Sequence, residues 1–172
     1  MQNISLPSEF FCCIFILKNN FGSKIKPEEF QKINYALSYG KQTAKQIKKD
    51  FPDNSLLEIC ESKNIILKNI ENLFFNSFIL AYFNSEDLNI YFDATKINLI
   101  DMKLKHIFNL KVDLREIILS HEVFHFLTYQ DLSFKKQGQQ YIEIAGFSFV
   151  KAFLNLSFHP LFFLIACPQV LL

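Results

Sequence analysis

Along residues 27–49, PEEFQKINYALSYGKQTAKQIKK, apolar positions fall at Phe30, Ile33, Leu37, Ala44 and Ile47. Steps of this kind describe one face of an α-helix, and Pro27 suits its first turn, where the missing N–H is no loss. The lysines read as the solvated face. The next stretch, FPDNSLLEICESKNIIL, predicts a turn at Pro52 and Asp53, then a short helix capped by Asn54 or Ser55 and running through Cys60. An apolar strand at Ile65 to Leu67 follows.

Residues 78–100, FILAYFNSEDLNIYFDATKINLI, hold two β-rich runs separated by NSED, which predicts two antiparallel strands joined by a tight polar connection. Asp113 and Glu116 have the spacing of a capping box at the head of LREIILSHEVFHFLTYQ. That segment is apolar around most of its circumference, so the helix is expected to be buried. A polar connection containing Gly138 covers Asp131 to Gln140, and YIEIAGFSFVKAFLNL then resumes a helical pattern until Pro160. The pattern predicts an α+β fold as a single domain over residues 1–172. A small antiparallel sheet packs against helices, among them the SHEVFH helix and a following helix that carries Glu143.

Composition narrows the class. Half of the 172 residues are hydrophobic, which excludes a disordered chain. With 18 Lys+Arg against 17 Asp+Glu there is no strongly basic field, so direct nucleic-acid binding is not expected. The 21 Phe and no Trp point to a core filled with rings that lack a polar handle. Cys12, Cys13, Cys60 and Cys167 form no CxxC spacing, which favours a reduced, cytoplasmic chain with Cys12 and Cys13 as buried thiols. The apolar run Phe10 to Leu17 lacks the flanks of a signal peptide. The apolar tail from Leu161 to Leu172, broken by Pro168, is too short to span a membrane, so no transmembrane segment is expected. That tail suits a core, a partner or a lipid surface equally.

The chemistry lies in SHEVFH, residues 120–125. On an α-helix, His121 and His125 project from one face about 6 Å apart along the axis, so both imidazoles can reach one ion. Glu122 is offset from His121 by about 100°, out of the ligand shell but near a water on the metal, where a general base stands. Two histidines and a glutamate among Ile, Leu, Val and Phe are costly to bury unless something satisfies them, and a divalent cation does so. Catalytic zinc usually takes three protein ligands. Glu143, the sole acidic residue after Asp131, lies on the next helix and is the candidate third ligand, with Gly146 one turn on allowing close helix approach. His159 and Tyr141 are candidate donors to the oxyanion of a tetrahedral intermediate. Tyr129 lies on the His125 side of the helix, and His106 is expected in an exposed loop.

The order of these pieces resembles the ImmA/IrrE family of zinc metallopeptidases, which are minimal gluzincins. The resemblance covers about residues 35 to 160 and is carried by "LLEICESKNIIL", "ILAYFNSEDLNIYFDATKI", "IILSHEVFHFL" and "EIAGFSFVKAFLNL". It implies Zn²⁺ held by His121, His125 and Glu143, with Glu122 as catalytic base. It also implies an intracellular protein or peptide substrate, in that family commonly a helix-turn-helix repressor. The chain has Phe124 where the family often has a small residue, and Gly146-Phe147 and Phe149-Val150 where it often has Ala-Asn or Ala-Asp and Phe-Ala pairs. The rival expectation is a peptidase-like protein that binds a regulatory partner without cleaving it.

Overall fold

The computed structural model describes residues 9–19, 26–71, 79–108 and 113–160. They fall into two compact units, one comprising the chain up to Lys45 and from Leu132 onward, the other Gln46–Asp131. The class is α+β, with helices around a small sheet. The apolar tail at Leu161 to Leu172 lies outside the described residues, as does Cys167.

The first unit holds α1 (Glu9–Asn19), α2 (Pro27–Asp50) up to Lys45, α6 (Leu132–Lys135) and α7 (Gln139–Phe153). Helix α2 starts at Pro27 as expected and buries Ile33, Leu37, Ala44 and Ile47 on one side, while Phe30 stays 38% exposed at its outer end. Helices α2 and α7 approach closely at Gly40. A Cβ on Gly40 would stand 2.8 Å from the main-chain nitrogen of Phe149 and closer still to the carbonyl oxygen of Ala145. The buried Ser148 hydroxyl, one turn along α7, donates to the Leu37 carbonyl oxygen at 2.8 Å and ties the same two helices. The polar connection before α7 contains the single turn α6, whose Phe134 stacks on Tyr39 with ring centroids 3.9 Å apart. Gly138 then starts α7 at φ 105°, a backbone conformation that suits glycine.

The second unit runs α3 (Leu56–Ser62), β1 (Ile66–Asn69), β2 (Ala81–Asn84), β3 (Asn89–Phe92), α4 (Ala94–Phe108) and α5 (Leu114–Thr128). Of the two candidate caps of α3, Ser55 is used. Its hydroxyl accepts from Glu58 N at 3.3 Å while the Glu58 carboxylate accepts from Ser55 N at 2.6 Å. The helix ends by placing Asn64 at φ 56°, with Asn64 N donating to Glu61 O and Ile65 N to Cys60 O.

The sheet order is β1-β3-β2. β2 and β3 form the expected antiparallel hairpin, registered Ala81 on Phe92 and Asn84 on Asn89. β1 is parallel to β3, so the sheet is mixed rather than wholly antiparallel. Alternation places Ile90 and Phe92 in the core. Tyr82 and Tyr91 stack on the other face with centroids 5.1 Å apart, and Lys68 lies over the Tyr91 ring. The second β-rich run ends at Phe92. ATKINLI, expected to continue the strand, instead opens α4, because the Asp93 carboxylate accepts from Lys96 N at 3.0 Å and caps the turn. Ile97, Ile100 and Leu104 then bury one helical face. His106 is exposed as expected, but in the last turn of α4 rather than in a loop.

Candidate metal centre

Helix α5 carries the SHEVFH residues. Asp113 caps it by accepting from Arg115 N at 2.8 Å, and the Asp101 carboxylate of α4 accepts from Leu114 N at 3.1 Å. These two bonds fix where the helix begins and therefore where its second and third turns fall. Along it Leu114, Ile117, Leu119, Ser120, His121, Val123, Phe124 and Thr128 are buried, as the apolar circumference predicted.

The four-residue spacing does what helix geometry demands. His121 and His125 bring their Nε2 atoms to 2.9 Å. His121 is 5% exposed and His125 half-buried. The two nitrogens are within hydrogen-bond distance, and which of them donates depends on the tautomers. Ligand atoms of His121, Glu122 and His125 all lie within 4.8 Å of one another, which is compact enough to hold a metal ion. A tetrahedral ion at 2.0–2.1 Å from each nitrogen needs them about 3.3 Å apart. As ligands, both Nε2 atoms would present lone pairs. Two imidazoles, with the Glu122 carboxylate close by, suit zinc and other first-row dications.

Glu122 also has a partner on the sheet. Its Oε2 accepts from the main-chain N–H of Phe83 on β2 at 2.8 Å. The Phe83 ring lies edge-on to Phe126 and Tyr129, with centroids 5.7 and 5.6 Å away. Glu122, Phe126 and Tyr129 follow one another at helical spacing, so one strip of α5 meets Phe83 through both its backbone and its ring. Sequence reading missed this contact because the donor is a main-chain group, which residue identity does not mark. The alternation of β2 was the available signal.

The remaining candidates belong to the first unit. Glu143 sits on α7, half-buried, and its Oε1 accepts from Gln139 Nε2 at 2.6 Å. Tyr141 is fully buried beneath Lys32, whose ammonium lies 5.5 Å from the ring centroid, and its hydroxyl makes no hydrogen bond among the described residues. His159 is buried with its Nε2 3.4 Å from Glu9 Oε1. Burial pulls its pKa down to about 4, against the pull of Glu9 in the other direction, and Lys151 and Lys41 lower it further. Cys12 and Cys13 are buried, as expected, and free, as is Cys60. Burial pushes the Cys13 thiol up to about 12 and Cys60 to about 11, far from the thiolate a nucleophile or ligand requires.

No described helix is long and apolar enough to cross a membrane. Comparison of the chain with protein-family models, curated proteins and solved structures returns no match.

Proposed function

We propose that this chain is a cytoplasmic zinc-dependent peptidase of the HExxH type, akin to the ImmA/IrrE family, acting on a protein or peptide substrate. The observation that supports it is the convergence of the His121 and His125 Nε2 atoms beside the Glu122 carboxylate, on a helix whose neighbouring positions are apolar and buried. His121 and His125 are the proposed ligands. The third, Glu143, is proposed from the sequence alone, as the one acidic side chain after Asp131.

Zinc bound there supplies Lewis acidity, lowering the pKa of a water molecule and polarising the scissile carbonyl. Glu122 takes a proton from the attacking water as its oxygen bonds to the carbonyl carbon. The carbon–nitrogen bond then breaks, and Glu122 delivers the same proton to the leaving amine. The sheltered surroundings of His121 keep bulk water from competing for the donors. A transcriptional repressor is the proposed substrate class, on the resemblance alone.

Metal analysis of the purified protein tests the reading. The expected result is about one zinc per chain, lost in His121→Ala and in His125→Ala and kept in Glu122→Gln. Peptide hydrolysis falls on the order of a hundredfold or more in Glu122→Gln. Absence of zinc from wild type, even after titration with the metal, overturns the proposal. Zinc without hydrolysis moves the reading to a peptidase-like protein that binds a regulator.

A further inference from the structure

The hydrogen bond between Phe83 and Glu122 has a geometric origin in the sheet. Asp93 N donates to Leu80 O, which makes that pair hydrogen-bonded in the antiparallel ladder. Hydrogen-bonded pairs recur every second residue, so Tyr82 with Tyr91 and Asn84 with Asn89 are of the same kind. Phe83, opposite Ile90, falls between them, and its N–H points away from β3. β2 is an edge of the three-stranded sheet, so among the described residues that outward N–H lacks a ladder partner. It is this donor that Glu122 Oε2 accepts at 2.8 Å. The Phe83 side chain shares the face of Ile90 and is seated against Phe126 and Tyr129, which holds the N–H in line with the carboxylate.

We infer that Phe83 is the positioning residue of the general base. Its main-chain N–H binds Glu122 Oε2 and leaves Oε1 as the oxygen that exchanges a proton with water and leaving amine, while its ring locks the strand to α5. The inference rests on the peptidase reading for its catalytic consequence, but the anchor itself can be measured without catalysis. A carboxylate that accepts a charge-assisted bond loses a rotational degree of freedom, and orientation of a base is worth large factors in rate. An edge strand also tolerates proline where the N–H points outward, so the donor can be deleted at this one position.

Two measurements on the full chain decide it. The first is amide hydrogen exchange at Phe83, followed by nitrogen-15 NMR in wild type and in Glu122→Ala. The expected result is exchange slower by about tenfold or more in wild type, with the Phe83 amide proton shifted downfield, because an outward edge amide has no other acceptor to protect it. Equal exchange rates and shifts in the two proteins overturn the inference. The second compares Phe83→Pro, which deletes the N–H, with Phe83→Leu, which keeps it. Both are loaded with zinc and assayed on a quenched-fluorescent peptide selected from a mixed library by wild type. Phe83→Pro is expected to lose on the order of a hundredfold in kcat with KM little changed, and Phe83→Leu to stay within about tenfold of wild type. Wild-type kcat in a folded Phe83→Pro overturns the positioning role. Zinc-loaded wild type that hydrolyses nothing overturns the peptidase reading, and the exchange ratio at Phe83 then still decides the anchor.

Discussion

Replacing Gly40 by alanine sets two effects of opposite sign against each other. In the interior of an exposed helix the change stabilises by about 1 kcal/mol, since glycine is the poorer helix former. Gly40 sits mid-way along α2, where that gain is available. The added methyl, however, would stand 2.8 Å from Phe149 N, against about 3.4 Å for ordinary contact, and still closer to Ala145 O. Both obstacles are main-chain atoms of α7, which cannot rotate aside as a side chain can. The two helices must separate by more than the Phe149 shortfall alone, because the Ala145 oxygen is the closer obstacle, and the Ser148 bond to Leu37 O must stretch with them. Overpacking of this kind costs roughly 1–3 kcal/mol, and a clash with backbone belongs at the upper end. The net expectation is a loss of about 2 kcal/mol, or about 4–8 °C in Tm for a chain of this size. Thermal unfolding followed by circular dichroism reads it directly. A Tm for Gly40→Ala equal to or above wild type would refute the argument. Adding Ala145→Gly sharpens the test: because the obstacle is the Ala145 carbonyl, trimming that side chain gives no rescue and lowers Tm further.

Zinc at 100 times its dissociation constant is expected to stabilise wild type by about 2.7 kcal/mol. In a thermal-shift titration that gain should vanish in His121→Ala and survive in Glu122→Gln; an equal rise in all three places the metal elsewhere. Stability should also fall as pH drops from 6.5 towards 4. Across that window the unfolded chain protonates His159 while the folded chain, with its pKa near 4, does not, a loss of about 3 kcal/mol. Urea unfolding at pH 7.5 and pH 4.5 should show a smaller difference for His159→Gln than for wild type, and equal differences refute the assignment. Ser55→Ala removes the capping hydroxyl of α3 and should cost about 1 kcal/mol, read as a lower urea midpoint at unchanged slope.

Long periodic helices were legible because their burial pattern repeats over several turns. α2 and α5 carry enough apolar positions at three- and four-residue steps to identify the buried side, and Asp113 marks the start of α5. The centre formed by His121, Glu122 and His125 was legible for the same reason, since all three are local to one helix. α4 was not: Thr95, Ile97, Leu99 and Ile100 have strand-like residue types over a short window, and the deciding feature is the bond from Lys96 N to the Asp93 carboxylate. The parallel pairing of β1 with β3 depends on contacts distant in sequence that no local pattern encodes. Small residues announce that helices can meet closely but not where, so the approach of α2 to α7 at Gly40 was not foreseen. The Asp113 cap was read correctly, although it works through Arg115 N rather than through a reciprocal Glu116.

The sheltered sulfurs give the chain internal reporters. Cys12 and Cys13 lie in the first unit and Cys60 in the second, all inaccessible and held in the protonated form by their surroundings. An alkylating reagent therefore modifies them only during excursions that open the surrounding structure. In a chain with Cys167 replaced, mass spectrometry of timed labelling would rank the local opening of each half without introducing any foreign probe.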